Sequence, residues 1–237
     1  MFYYYGIDWT YIVLVLPFVI ISLIASANVN GTFKRYSKQL SSRRITGAQA
    51  AQRVLYSNGI TNVRIERISG NLTDHYDPKA NVIRLSDSVF DSTSTAAIGV
   101  ACHEAGHAVQ HATAYGPIKL RTAFVPIANI GSSIAIPLIL IGLLFASFGE
   151  YSQTIVNIGI FCFSFSFLFQ VITLPVEFNA SRRALRAIED GDILTDSELR
   201  GARKTLIAAA LTYVAAAAAA LAQLLRLIIL FGGRDND

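Results

Sequence analysis

Hydrophobic positions fall into four long blocks, at residues 8–27, 123–148, 154–176 and 205–231, separated by polar stretches. A helix needs about 20 apolar residues to cross the hydrocarbon core of a bilayer, and each block reaches that length. Charge is nearly absent inside them. Apart from Asp8 at the very start of the first block, the exception is Arg226, which stands near one end, where its long side chain can snorkel toward the interface. The pattern predicts four transmembrane helices and two polar segments, 28–122 and 177–204. The first polar segment reads as shorter pieces: a helix opened by the capping-box residues Thr46 and Gln49, a strand over 62–68, a turn at Gly70 and Asn71, and a strand over 81–86. A helix over 93–115 follows, capped by Asp91, Ser92 or Thr93 and ended by Gly116 and Pro117.

Composition agrees with this division. Hydrophobic residues make up 53% of the chain and charged residues 15%, which is too apolar for an ordinary soluble domain. The first block competes with a cleaved signal peptide, but its N-terminal flank has no Lys or Arg and its apolar stretch is too long for a signal core, so it reads as an anchor. Tyr3, Tyr4, Tyr5 and Trp9 form an interfacial aromatic belt. The alanine run 215–220 in the last block suits close helix packing.

Charge sets an orientation. Lys34, Arg35, Lys38, Arg43 and Arg44 follow the first block, Lys119 and Arg121 precede the second, Arg182, Arg183 and Arg186 follow the third, and Arg200, Arg203 and Lys204 precede the fourth. The opposite ends hold only Arg234. The positive-inside rule therefore puts both polar segments in the cytoplasm, with the termini and the short turn 149–153 outside. These flanks account for the net charge of +4 without any nucleic-acid partner.

Candidate chemistry sits in His103-Glu104-Ala105-Gly106-His107, within the expected helix 93–115. Residues four apart share one helical face, so both imidazoles can reach one zinc ion while Glu104 faces the open position. Only four histidines occur in 237 residues, and two of them stand here at the required separation. Such a zinc site brings the pKa of water to about 7, and a neighbouring glutamate can serve as general base and then general acid in hydrolysis.

The metal is still one ligand short. A third histidine ten residues after His103 would make the metzincin arrangement, but that position is Thr113, and Gln110 stands where a glycine is required. His111, four residues beyond His107, cannot easily close on the same ion from a straight helix. Cys102 is rotated about 100° from the ligand face, and a disulfide between it and mid-block Cys162 is not expected. Glu177 is the stronger candidate. It lies where the third block ends, with Pro175 just before it and Ser181 at i+4, a pattern that suits a new helix start.

The segments LTDHYDP, NVIRLS, GVACHEAGHAVQHA and LPVEFNASRRAL together resemble the YugP-type membrane zinc metallopeptidases over nearly the whole chain. More distantly, residues 177–181 are similar to the third-ligand motif of the HtpX and Ste24-type gluzincins, in which an aspartate four residues after the glutamate orients a histidine. The resemblance implies His103, His107 and Glu177 as zinc ligands and Glu104 as base and acid. Ser181 replaces the aspartate, and a serine accepts an imidazole N–H less strongly than a carboxylate does.

The implied fold is a mainly α membrane protein with about four transmembrane helices and a small α+β gluzincin-like domain on one membrane face. The chain would divide into transmembrane helix 1 (1–27), a metallopeptidase domain (28–122), transmembrane helices 2 and 3 (123–176), a segment completing the active site (177–204), and transmembrane helix 4 with a tail (205–237). The implied protein is a multi-pass endopeptidase of the bacterial cytoplasmic membrane, with its site on the cytoplasmic face. It acts on membrane-associated polypeptide, and a homo-oligomer or a membrane partner protein is compatible with it. Strand 81–86 would hold an extended peptide by its edge. His75 and Tyr76, in the turn before it, are candidate oxyanion donors, against a plain reading as a polar loop fixed by Asp77 and Pro78. A site-2-type intramembrane protease is the alternative enzyme, but no block supplies its third-ligand aspartate. A metal-binding scaffold or assembly factor is the non-catalytic alternative, and the intact Glu104 argues against it.

Overall fold

The computed structural model describes residues 9–145 and 150–231. The expected belt at Tyr3–Tyr5, and Arg234, lie outside the described residues. In chain order the elements are α1 (Leu16–Tyr36, preceded by a π-helical turn Tyr11–Val15), α2 (Gly47–Ser57), β1 (Arg64–Ile68), β2 (His75–Asp77), β3 (Val82–Ser86), α3 (Thr95–Ala112), α4 (Gly116–Leu144), α5 (Glu150–Asp190) and α6 (Asp196–Phe231). Helices α1, α4, α5 and α6 are long and apolar enough to cross a membrane.

Local chemistry explains most boundaries. Thr46 Oγ1 accepts from the Gln49 backbone N–H at 3.2 Å and Gln49 Oε1 accepts from the Thr46 N–H at 3.0 Å, closing the expected capping box of α2. Helix α3 starts two residues later than expected, because Ser94, not Asp91, Ser92 or Thr93, takes the cap position and accepts from the Ala97 N–H. It stops at Ala112, ahead of Gly116 and Pro117, and that pair opens α4 instead. Proline in a first helical turn loses no hydrogen bond the helix could make.

Two expectations about α5 are corrected. The chain is already helical from Glu150, so 150–153 is not a turn, and no new helix begins after Pro175, which lies inside one 41-residue helix. An internal proline removes one i→i−4 hydrogen bond, a loss apolar helices tolerate.

The chain forms two compact units. Among the described residues, one comprises those up to Ile24, those between Leu120 and Thr173 and those from Tyr213 onward. Its core joins Ile139 of α4, Val156 and Ile160 of α5 and Leu227 of α6. Glycines let the helices approach: a Cβ on Gly159 would stand 2.7 Å from Ile139 Cγ1, and one on Gly131 2.8 Å from the Cys162 carbonyl oxygen. Arg226, expected to snorkel, lies over the Tyr11 ring at 5.5 Å.

The other unit comprises Ala25–Lys119 and Leu174–Thr212. Its three-stranded sheet has the order β1-β3-β2, with β1 parallel and β2 antiparallel to β3. The central place of β3 matches its nearly continuous burial, with Val82, Ile83, Leu85 and Ser86 all buried. This corrects two expectations. Strand β3 is hydrogen-bonded on both sides and cannot offer an edge to a peptide, and His75 and Tyr76 belong to a strand, β2, rather than a turn.

Leu55, Ile83, Leu85, Ile98, Ile188 and Ile193 fill the core between the sheet, α2, α3 and the polar stretches of α5 and α6. Helix α3 is built from small residues, so other backbones reach it closely. A Cβ on Gly106 would lie 2.7 Å from the Ala180 carbonyl oxygen, and one on Gly99 3.2 Å from the Ala202 Cβ. Forcing a methyl group into such a contact costs about 1–3 kcal/mol. Gly106→Ala should therefore lower the thermal midpoint of the detergent-solubilised protein, while Gly116→Ala, with open space around it, should not. Equal midpoints in scanning calorimetry would contradict this packing.

Candidate metal centre

Because Gly106 lets the backbone of α5 come so near, Glu177 arrives over the histidine face of α3. Its Oε2 lies 3.3 Å from His103 Nε2 and 3.5 Å from His107 Nε2. The candidate ligand atoms of His103, His107 and Glu177 all lie within 4.8 Å of one another. The two imidazole rings, one helical turn apart, meet edge to face with centroids 4.7 Å apart. Glu177 is 2% exposed and Glu104 8%, so each carboxylate needs a compensating charge or donor.

Hydrogen bonding fixes which ring nitrogens are free to bind a cation. The Gln110 side chain is fully buried, and its Nε2 donates to the Val176 carbonyl oxygen at 2.8 Å and to Asn179 Oδ1 at 3.0 Å. A carbonyl can only accept, so the amide orientation is determined and Gln110 Oε1 is the atom 3.0 Å from His107 Nδ1. His107 Nδ1 must then carry the proton, leaving the Nε2 lone pair directed at Glu177. Ser181 Oγ, 3.1 Å from His103 Nδ1, can accept in the same way.

Two imidazole lone pairs and a carboxylate oxygen thus converge, an arrangement that a shared cation stabilises. Electrostatics points the same way. Burial disfavours a protonated His107, yet the hydrogen bond that a protonated ring donates to Glu177 and the charges of Glu104 and Glu177 outweigh it and hold the ring above the usual imidazole range. Two neutral imidazoles plus one carboxylate are a donor set for zinc with an open fourth position.

Other candidate residues lie elsewhere. His111 packs its ring against Tyr76, with centroids 5.5 Å apart. Cys102 is fully buried, and burial pushes its thiol well above the usual range, so no thiolate is at hand. Both cysteines are free. His75 Nδ1 is 2.9 Å from the Thr73 carbonyl oxygen and its Nε2 3.4 Å from Arg84, while the Tyr76 hydroxyl donates to Asn81 Oδ1. The donors expected to face an oxyanion are therefore engaged within the β2–β3 hairpin.

Comparison with known proteins accords with this geometry. Residues 11–232 match the family described as "Putative neutral zinc metallopeptidase". The chain belongs to this family. It is also 44% identical, over 218 residues, to the "Putative membrane protease YugP" of Bacillus subtilis (strain 168), an alignment covering 92% of this chain and 95% of that protein. No solved structure matches the chain. The family implies zinc, and the two histidines and glutamate described above form a fitting site for it.

Two residues of this family member escaped the sequence reading. In the sequence, Gln110 stands out only as the residue in place of a metzincin glycine. The available signal is its place at i+3 from His107, a further polar side chain on the helix that carries the motif. Asp74 accepts from the Ser86 N–H at 2.7 Å and from Ser86 Oγ at 2.9 Å. Burial pushes its carboxyl up against those bonds, and the nearby charge of Glu104 adds to the rise. Gln110→Leu would strand the His107 N–H and the Val176 carbonyl without partners. It should weaken zinc retention about 10–100-fold in competition with a chelator, whereas wild-type affinity in this variant would remove Gln110 from the centre.

Proposed function

We propose that this protein is a membrane-anchored zinc-dependent endopeptidase in which His103, His107 and Glu177 hold the metal and Glu104 moves the proton. The convergence of two imidazole nitrogens and one carboxylate oxygen, contributed by residues 74 apart at their widest separation, carries the reading. Zinc in that position would polarise a peptide carbonyl and bring the pKa of water to about 7.

The chain's own residues do the rest. Gln110 and Ser181 keep the Nδ1 protons of His107 and His103 in place, so that the Nε2 lone pairs stay available. The Glu104 carboxylate takes a proton from the attacking water and delivers it to the nitrogen of the breaking C–N bond, leaving a free carboxylate and a free amine. With β3 enclosed, the outer edge of β2 is the place for an extended substrate. It is the sheet edge on the side of the hairpin whose Tyr76 packs against α3, and backbone hydrogen bonds there would leave side chains free to vary.

The four apolar helices anchor the enzyme, with segments 28–122 and 177–204 forming the catalytic part, gluzincin-like in its use of a distant glutamate. The basic flanks support a cytoplasmic position for this part, and polypeptide at the membrane is the substrate class.

Glu104→Gln is the decisive variant. It should retain zinc and lose cleavage of casein or a labelled peptide library by about 100-fold or more. Undiminished cleavage would end the proposal, and Glu177→Ala with full zinc occupancy would remove Glu177 as a ligand. Cysteines introduced at exposed Tyr56 and Glu189 should react only with reagents that reach the cytoplasm. Labelling by an impermeant reagent from outside would reverse the orientation.

A further inference from the structure

Apart from the metal centre, guanidinium groups line a cavity of about 520 Å³ within the unit that holds the site. Arg53 comes from α2, and Arg182, Arg183 and Arg186 from α5. Asp190 is the single carboxylate among the described lining residues. Arg183 is held in place: its Nε donates to Asn179 Oδ1 at 2.8 Å and its guanidinium lies over the Tyr115 ring at 5.8 Å. Arg53, Arg182 and Arg186 make no ion pair among the described residues.

Positive flanks at a membrane boundary account for arginines following an apolar helix, but not for this arrangement. Such flanks need no concavity, and they do not draw in Arg53 from a helix about 130 positions earlier in the sequence. Arg182 and Arg186 are also an i,i+4 pair of like charges, which by itself destabilises the helix. A bound anion would offset that repulsion. Guanidinium forks match phosphate oxygens bidentately, and the cavity falls within the roughly 300–1,000 Å³ of small-molecule sites, far larger than one ion requires. Val54, Val109 and Ile193 are among the other lining residues and suit an organic body attached to the anionic group.

We propose that this cavity binds a phosphate-bearing anion through Arg53, Arg182 and Arg186. The phosphate belongs either to an acidic lipid headgroup or to a soluble phosphate, and the two share the same recognition chemistry. The site adjoins the metal centre through one shared atom, since Asn179 Oδ1 accepts both from Arg183 and from Gln110, the residue that orients His107.

Binding can be read without turnover, so its failure and a failure of the peptidase reading are separate results. Full-length protein in a non-ionic detergent is titrated with inorganic phosphate against chloride at matched ionic strength, following the thermal midpoint. In a second arm the protein is placed in nanodiscs of phosphatidylcholine with or without phosphatidylglycerol. The expected result is a saturable rise in midpoint with phosphate, with phosphatidylglycerol or with both. A response to inorganic phosphate assigns a soluble source, and a response to phosphatidylglycerol alone assigns the lipid. Arg182→Gln/Arg186→Gln should weaken the response about tenfold or more. Arg53→Gln, which leaves α5 intact, should weaken it too, and the midpoint of each variant without anion shows that it is folded. A wild-type response that follows ionic strength alone, no response in either arm, or equal responses in wild type and both variants would overturn the site.

Discussion

Two imidazole nitrogens and a carboxylate oxygen turn their lone pairs toward one another inside the protein, and much of the surrounding unit serves to hold them there. Such atoms repel unless a cation or a proton lies between them, so the arrangement exists at a free-energy cost that packing must cover. The small residues of α3 provide that packing. Gly106 stands between the two histidine-bearing turns and admits the Ala180 carbonyl to a distance no side chain would permit. The same glycine that makes the motif compact in sequence therefore sets the distance between the imidazoles and Glu177.

All three converging groups sit on helices rather than loops, and each histidine is locked by a second contact. Gln110 does more than orient one ring. Its amide spans α3 and α5, holding His107 on one side and the Val176 carbonyl beside Glu177 on the other, so a single buried side chain couples both halves of the centre. Rigid placement of this kind suits a site whose chemistry depends on sub-ångström ligand geometry. On the opposite side, Asp74 pins the end of β3 while feeling the charge of Glu104, which links the sheet to the same centre.

The sequence pattern made the four apolar helices and the His103–His107 face legible because both follow simple periodicities, about 20 apolar residues and a four-residue step. Glu177 was harder, since no local signal ties it to a helix 70 residues earlier; its place at the end of an apolar block and the resemblance to known motifs singled it out. Strand β2 was illegible for a different reason. Three residues followed by Pro78 read as a turn, and only pairing with Arg84, Ile83 and Val82 makes them a strand. That same pairing makes β3 central, so a sequence in which β2 looks like a turn also gives no sign of which strand is the sheet edge. The end of α3 lies earlier than the sequence suggests because Gly116 and Pro117 act as a start signal for α4 as readily as a stop signal.

On the proposed reading, the two groups that orient the imidazoles, Gln110 and Ser181, are both neutral. A carboxylate in either position would push electron density through the ring onto the metal and add a negative charge to a pocket that already holds Glu104 and Glu177. With neutral partners, the two glutamates balance a dication without excess, and the metal keeps more of its power to acidify water. Serine in place of the aspartate of the gluzincin motif then follows from charge balance: it preserves the orientation of His103 while leaving the net charge of the centre to the residues that bind the metal and move the proton.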